Sequence, residues 1–409
     1  MAFSFNRFWY IMIGITVVFL GLYLWFTTFP GRPAGDAYRY FTEGDIVSAR
    51  AYASASRMVS AINFSVELSF LIWFTMGTAG RYLSDWCEKV AGRYTLSILL
   101  YFFILWVILR IINLPFSLYS GYFLQKQWGF STQTLMSWWM DYIKSAALDL
   151  VLSATGVILL FFAVNRWPGT WHITAWAFIS LWLVVQTFLW PILVEPLFNK
   201  FEAAKDPQII AMVKELADKA GIPVNQVLIM DASRRTTKAN AYFTGIGRIK
   251  RIVLYDTLLK DYPEDEVRAV IAHEMGHWRQ GHIVKGLLES SLGILIMLLI
   301  LHTFMKIDIH FNGSYPPYLW AYLTLFFVLA SYIANPIYNY ESRRMETEAD
   351  RISVMLTEDP NSVIKLQVDL AKRNLSDMSP PLFIEWFAYT HPSTMHRIEM
   401  VEKIKPPSE

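Results

Sequence analysis

The chain has 409 residues, with 36 Lys and Arg against 34 Asp and Glu for a formal net charge of +2. Hydrophobic residues make up 54% and charged residues only 17%, against roughly 45–50% and about 25% in soluble domains. The balance excludes a disordered chain and a nucleic-acid binder with a large basic excess, and it points to a membrane protein if the apolar residues are bunched.

They are bunched. Seven runs are long enough to cross a bilayer, at about 20 residues each: 8–29, 58–78, 97–123, 145–164, 171–197, 283–305 and 318–338. The first exceeds the apolar core of a signal peptide and has no small-residue cleavage site after it, so a retained anchor is expected. Five charges, Glu67, Arg110, Asp149, Glu195 and Glu289, fall within or near the ends of these runs. Charges in spans face a bundle interior or water. They imply either helix-to-helix pairing, such as Arg110 with Glu67 or Asp149, or a polar cavity.

Most of the remaining charge lies in 198–282 and 339–409. The expected organisation is a five-span membrane domain over 1–200, a polar domain supplied in two parts over 201–282 and 339–409, and a two-span hairpin over 283–338 between them. Seven spans put both polar parts on one side, opposite the N-terminus. Their density of Lys and Arg favours the cytoplasmic side, although Arg81, Lys89 and Arg93 fall in a loop that then faces outward. The polar domain reads as mixed α and β. Asp206-Pro207 opens a helix that Gly221 stops. Strands are expected at 226–230, 239–244 and 251–255, with Gly245 and Gly247 in the turn between the last two. Pro263-Glu264-Asp265-Glu266 begins another helix, its acids at the positive end of the helix dipole.

That helix carries His273-Glu274-Met275-Gly276-His277. Imidazoles at i and i+4 share a helix face and can hold one Zn²⁺. Zinc lowers the pKa of a water toward about 7, and Glu274 is placed to take its proton. With a single cysteine, Cys87, no cysteine site and no internal disulfide can form. The flanks of the motif are polar, so the metal is expected at the membrane boundary, on a helix that runs on into the sixth span. A third ligand must come from elsewhere. The acidic helix after the seventh span offers Glu341, Glu346, Glu348 and Asp350, and spacing does not choose among them. Glu346 and Asp350, at i and i+4, share a face, so one can ligate while the other orients a ligand histidine.

The whole pattern resembles the type I CAAX prenyl endopeptidases, integral-membrane gluzincin zinc metallopeptidases. The matches are the His273–His277 motif, Ser342-Arg343-Arg344 before Glu346 and Asp350, Asn240-Ala241-Tyr242-Phe243, the segment 250–258, His391-Pro392 with Arg397, and in the first half Leu114-Pro115-Phe116, Gly129-Phe130-Ser131 and the segment 195–201. The resemblance implies seven transmembrane helices around a chamber, with a mixed α+β gluzincin-like zinc protease domain. It implies one Zn²⁺ held by His273, His277 and Glu346, with Glu274 as general base. Asp350 then orients a ligand imidazole. Asn240, on an edge strand, holds the substrate main chain, His391 donates to the oxyanion, and Arg397 positions Glu346 or binds a substrate carboxylate. Two positions depart from the family pattern: Ser393 follows His391-Pro392 where a second Pro is usual, and Thr347 follows Glu346 where an aromatic is common. Both bear on substrate positioning.

The implied partner is a peptide or protein with a prenylated C-terminus, met at the bilayer. Two alternatives stand beside this reading: a membrane quality-control zinc protease, and a non-catalytic scaffold with a structural zinc. The intact Glu274 argues against the scaffold.

Overall fold

The computed structural model describes residues 7–246, 249–304 and 314–404. Gly247 of the expected turn, Met305 at the expected end of the sixth span, and the outermost positions of the expected first and last domains lie outside them. Among the described residues, seven helical segments are long and apolar enough to cross a membrane. The first five are α1 (Arg7–Thr28), α2 (Glu43–Met76), α4 (Tyr94–Leu118) continued through a π turn into α5 (Leu124–Gln127), α6 (Leu135–Arg166) and α7 (Trp171–Leu193). A short amphipathic helix not expected from the sequence, α3 (Ala79–Ala91), joins α2 to α4. The polar domain follows with α8 (Pro207–Ala220), α9 (Asp256–Asp261) and α10 (Glu264–Arg279). The last spans are α11 (His282–Phe304) and α12 (Leu319–Thr357), and α13 (Pro360–Asn374), α14 (Leu382–Ala388) and α15 (Thr394–Glu402) complete the chain.

The spans form a closed ring. α1 packs on α2, α2 on α4, α4 on α6, α6 on α7, α7 on α11, α11 on α12, and α12 returns to α1 and α2. Residues of all seven spans meet in one apolar cluster that includes Trp9, Leu71, Phe102, Phe161, Trp171, Leu298 and Phe326. A cavity of about 860 Å³ lies between α6, α7 and α12, lined by residues such as Leu160, Phe178, Trp182 and Phe327. A smaller one of about 350 Å³, lined by Ser145, Asp149, Ser153 and Gln186, lies toward the polar domain. Arg110 pairs with Asp149, which also accepts from Trp106 Nε1 at 2.7 Å. Of the two pairings open to Arg110, the structure makes this one, and it does so on the wall of the cavity.

The small sheet has strands β1 (Phe201–Ala203), β2 (Gln226–Met230), β3 (Ala241–Ile246) and β4 (Ile249–Tyr255), in the order β1-β2-β4-β3. β2 and β4 are parallel and the other pairs antiparallel, which leaves β3 on an edge. The helices α8, α10, α12 and α13 bury Leu216, Ile271, Met275, Ile352 and Leu366 with Ile252 and Leu254 of β4 in one apolar core. α8 begins and ends as its caps dictate: Asp206 accepts from Gln208 N at 2.8 Å, Pro207 takes the first turn, and Gly221 adopts φ 70°.

One expectation is corrected. α10 does not run on into the sixth span: the chain breaks after Arg279, and Gly281 at φ 66° turns it into α11. A positive φ costs glycine little and other residues more, which is why the break falls there. The helix that carries the second span starts well before the apolar run, at Glu43. Thr42 and Asp45 cap α2 in a reciprocal box, and its polar first third docks on the catalytic side. Phe41, Ile46 and Ala49 join Met378, Met395 and Ile398 in one cluster, and buried Arg57 donates to buried Asp377 at 3.2 Å. This contact ties the first part of the chain to the protease part.

Candidate metal centre

Packing of α10 against α12 builds the centre. Gly276 makes it possible: a Cβ there would meet Ala349 Cα at 2.9 Å and Ala349 O at 3.0 Å. Ser353 Oγ closes the same interface by donating to Ala269 O at 2.9 Å. With the backbones this close, Glu346 of α12 faces His273 and His277 of α10. His273 Nε2 lies 3.3 Å from Glu346 Oε2 and His277 Nε2 lies 3.3 Å from Glu346 Oε1. The two Nε2 atoms are 3.1 Å apart. One donor atom from each residue falls within 4.8 Å of the others, the one such cluster among the described residues.

These residues fit a metal ion. Glu346 Oε2 is buried with no hydrogen-bond partner, and two imidazole nitrogens with one carboxylate oxygen are a zinc donor set. Burial opposes a charge on His273, yet Asp350 and Glu346 outweigh it and push its pKa up to about 10. The carboxylates thus call for a positive charge at this point, which a cation supplies in place of the proton. Glu274 sits beside the cluster; burial raises its pKa, with His273 and His277 opposing. A raised pKa suits a base that must also give the proton back.

Among the four acidic candidates on α12, Glu346 meets both histidines and Asp350 lies behind them. Asp350 Oδ1 is 2.8 Å from His273 Nδ1. Arg397 was expected to position Glu346 or to bind substrate. Its guanidinium instead holds Asp350 in a two-point contact, Nε to Oδ2 at 2.8 Å and Nη2 to Oδ1 at 2.6 Å. The geometry therefore places it behind Asp350. Glu348 points elsewhere, to His282, and Glu341 pairs with Arg344. His282 contacts His277 Nδ1 at 2.9 Å; read from the sequence it was one more polar residue flanking the motif.

His391 enters from the loop before α15. Its Nε2 is 3.3 Å from Glu346 Oε1, and its Nδ1 is 2.9 Å from Thr390 Oγ1. Its side chain is still 56% exposed, open to a group arriving at the centre. Two side chains hold this loop: Glu385 Oε1 accepts from Ser393 N at 3.0 Å, and Arg343 Nη1 donates to the carbonyls of Glu385 and Tyr389 at 2.8 and 2.6 Å. Asn240 stands exposed just before β3. Its main-chain carbonyl accepts from Tyr255 N at 3.0 Å and its side-chain oxygen from Ala241 N at 2.9 Å. Glu195, at the end of the fifth span, accepts from Tyr242 Oη and so ties β3 to the membrane part.

Residues 203–405 match the model of peptidase family M48, and residues 33–200 match that of the CAAX prenyl protease N-terminal region with its five membrane helices. The CAAX prenyl protease 1 homolog of Arabidopsis thaliana is 30% identical over 72% of this chain and 70% of its own length. The chain belongs to the CAAX prenyl protease 1 family within peptidase family M48. It is an integral, multi-pass membrane zinc metalloendopeptidase of this family, whose metal is typically zinc. CAAX prenyl protease 1 of Saccharomyces cerevisiae is 28% identical over 72% of the chain and 69% of its own length. An uncharacterized metalloprotease of Bacillus subtilis, YhfN, is 28% identical over 97% of both chains. The crystal structure of S. mikatae Ste24p superposes with a TM-score of 0.84 at 22% identity, covering 98% of this chain and 100% of that one. At that identity the likeness speaks for the fold.

Proposed function

We propose that this family member binds one Zn²⁺ through His273, His277 and Glu346 and cleaves peptide bonds near the C-terminus of prenylated proteins, with its protease domain on the cytoplasmic side. The observation that carries the chemistry is the convergence of the three donor atoms within 4.8 Å, beside an acid of raised pKa. Zinc, when bound, lowers the pKa of a water and draws electron density from the scissile carbonyl.

The protein's own groups do the rest. Glu274 takes the proton from the attacking water and hands it to the leaving amine. His391, held at Nδ1 by Thr390, donates from Nε2 to the carbonyl oxygen as charge develops there. Asp350 fixes the ring of His273, and Arg397 fixes Asp350. The open edge of β3 receives an extended peptide by backbone pairing, with Asn240 at its start. Asn240 Oδ1 accepts from Ala241 N, and its side chain also meets Tyr255, so both neighbours orient it toward the strand edge.

Prenylation as the substrate feature is supported by the names of the relatives and by the apolar cavity between α6, α7 and α12. The deciding experiment compares cleavage of two peptides of identical sequence, one carrying an isoprenoid on its C-terminal-region cysteine and one not. Faster cleavage of the prenylated peptide is expected. Equal rates and equal KM would remove prenylation from the proposal and favour the quality-control reading.

A further inference from the structure

His277 turns Nε2 to the ligand cluster and Nδ1 the other way, toward Nδ1 of His282 at 2.9 Å. The other nitrogen of His282 lies 3.2 Å from Glu348 Oε2. The His282 side chain is only 4% exposed. Lys285 Nζ and Arg344 Nε each stand 3.6 Å from an oxygen of Glu348. Three elements meet here. His277 lies in the last turn of α10, His282 opens α11, and Glu348 lies on α12 two residues after Glu346. Gly281 at φ 66° is what brings His282 back beside His277.

Chemistry orders the protons along this line. An imidazole nitrogen that holds a metal carries no proton, so neutral His277 has its one N–H at Nδ1. That N–H faces Nδ1 of His282, which accepts only when unprotonated. The proton of His282 then sits on Nε2 and is donated to Glu348. Each ring is left with one tautomer, and the line ends on a carboxylate flanked by two cations.

We propose that His282, anchored by Glu348, is the positioning residue of His277, as Asp350 is of His273. It aims the His277 lone pair and raises the basicity of the ring. The proposal rests on the reading of His273, His277 and Glu346 as the metal centre. It also explains why a buried histidine opens a membrane span, where a polar ring is otherwise costly.

The test uses the full chain in detergent, stripped of metal and titrated with zinc against a chromophoric chelator. Unfolding temperature of the metal-free protein is recorded beside it. His282→Gln keeps the reach to Glu348 but removes the acceptor at Nδ1; His282→Asn puts Oδ1 where Nδ1 was. His282→Gln should weaken zinc binding by roughly 10–100-fold, the usual cost of losing such a partner. His282→Asn should recover most of that loss, and Glu348→Gln should weaken binding by less than His282→Gln does. Wild-type affinity in His282→Gln, or equal losses in Asn and Gln variants, would overturn the proposal. So would losses that merely follow a lowered unfolding temperature. If neither His282 variant folds, Glu348→Gln decides alone, and unchanged affinity there overturns it. A wild-type protein that binds no zinc would instead overturn the metal-centre reading itself.

Discussion

Gly276→Ala asks whether the approach of α10 to α12 makes the site. The added Cβ would lie 2.9 Å from Ala349 Cα and 3.0 Å from Ala349 O. Carbon contacts are comfortable at about 3.5–4.0 Å, so the two helices must part by roughly 0.6–1.1 Å. Both colliding groups are backbone, and no side-chain rotation relieves them. Ala gains about 1 kcal/mol over Gly in a helix interior, while overpacking costs about 1–3 kcal/mol, so stability should fall by no more than about 2 kcal/mol. Zinc binding should suffer more. Metal sites tolerate about ±0.2 Å in their ligand distances, and Glu346 is carried on the helix that moves. A loss of at least about tenfold in zinc affinity is expected, the scale seen for disturbed ligand support. The assays are chelator competition for zinc and thermal unfolding of the apo and zinc-loaded protein. Adding Ala349→Gly should not rescue the variant, because its nearest contacts are to Cα and O. Wild-type zinc affinity in Gly276→Ala, or full rescue by Ala349→Gly, would refute the argument.

Arg397→Ala leaves Asp350 without its cationic partner, with only His273 beside it, where its side chain is 1% exposed. Removing one partner of a buried pair costs about 3–5 kcal/mol, so denaturant unfolding should show a loss of that order together with weaker zinc binding; an unchanged midpoint would place Arg397 back in the substrate path. Glu266 is buried at the start of α10, its Oε2 without a hydrogen-bond partner, and burial with nearby Asp369 and Asp265 raises its pKa to about 7. The folded state therefore binds this proton more tightly than the unfolded one. The stabilisation is fully present below the unfolded value of 4.5 and is lost as pH rises through about 7. Glu266→Gln should flatten the fall in unfolding temperature between acid and neutral pH, and an unaltered pH profile would contradict this.

The apolar runs and the His273–His277 spacing are local signals, and both can be read without the fold. The third ligand is a tertiary fact. Glu341, Glu346, Glu348 and Asp350 share one helix, and only the contact of Ala349 with Gly276 decides which of them faces the histidines. The resemblance singled out Glu346; spacing did not. Arg397 was legible as important but not in its role, because its partner Asp350 is 47 residues away and hidden behind a ligand. The early start of α2 escaped because its first turns are polar and bury Ile46 and Ala49 against Met395 and Ile398, not in lipid. His282 escaped because a histidine at a span boundary is unremarkable until a glycine break folds it onto His277.

The central claim is that Glu274 moves the proton at a zinc site built by His273, His277 and Glu346. Zinc content by elemental analysis and cleavage of a prenylated peptide, measured together in wild type and Glu274→Gln, test it most directly. The account predicts about one zinc per chain in both proteins and a fall in cleavage of roughly 10²–10⁴-fold in the variant. Retained cleavage in Glu274→Gln, or wild-type cleavage that survives complete removal of the metal, would contradict it.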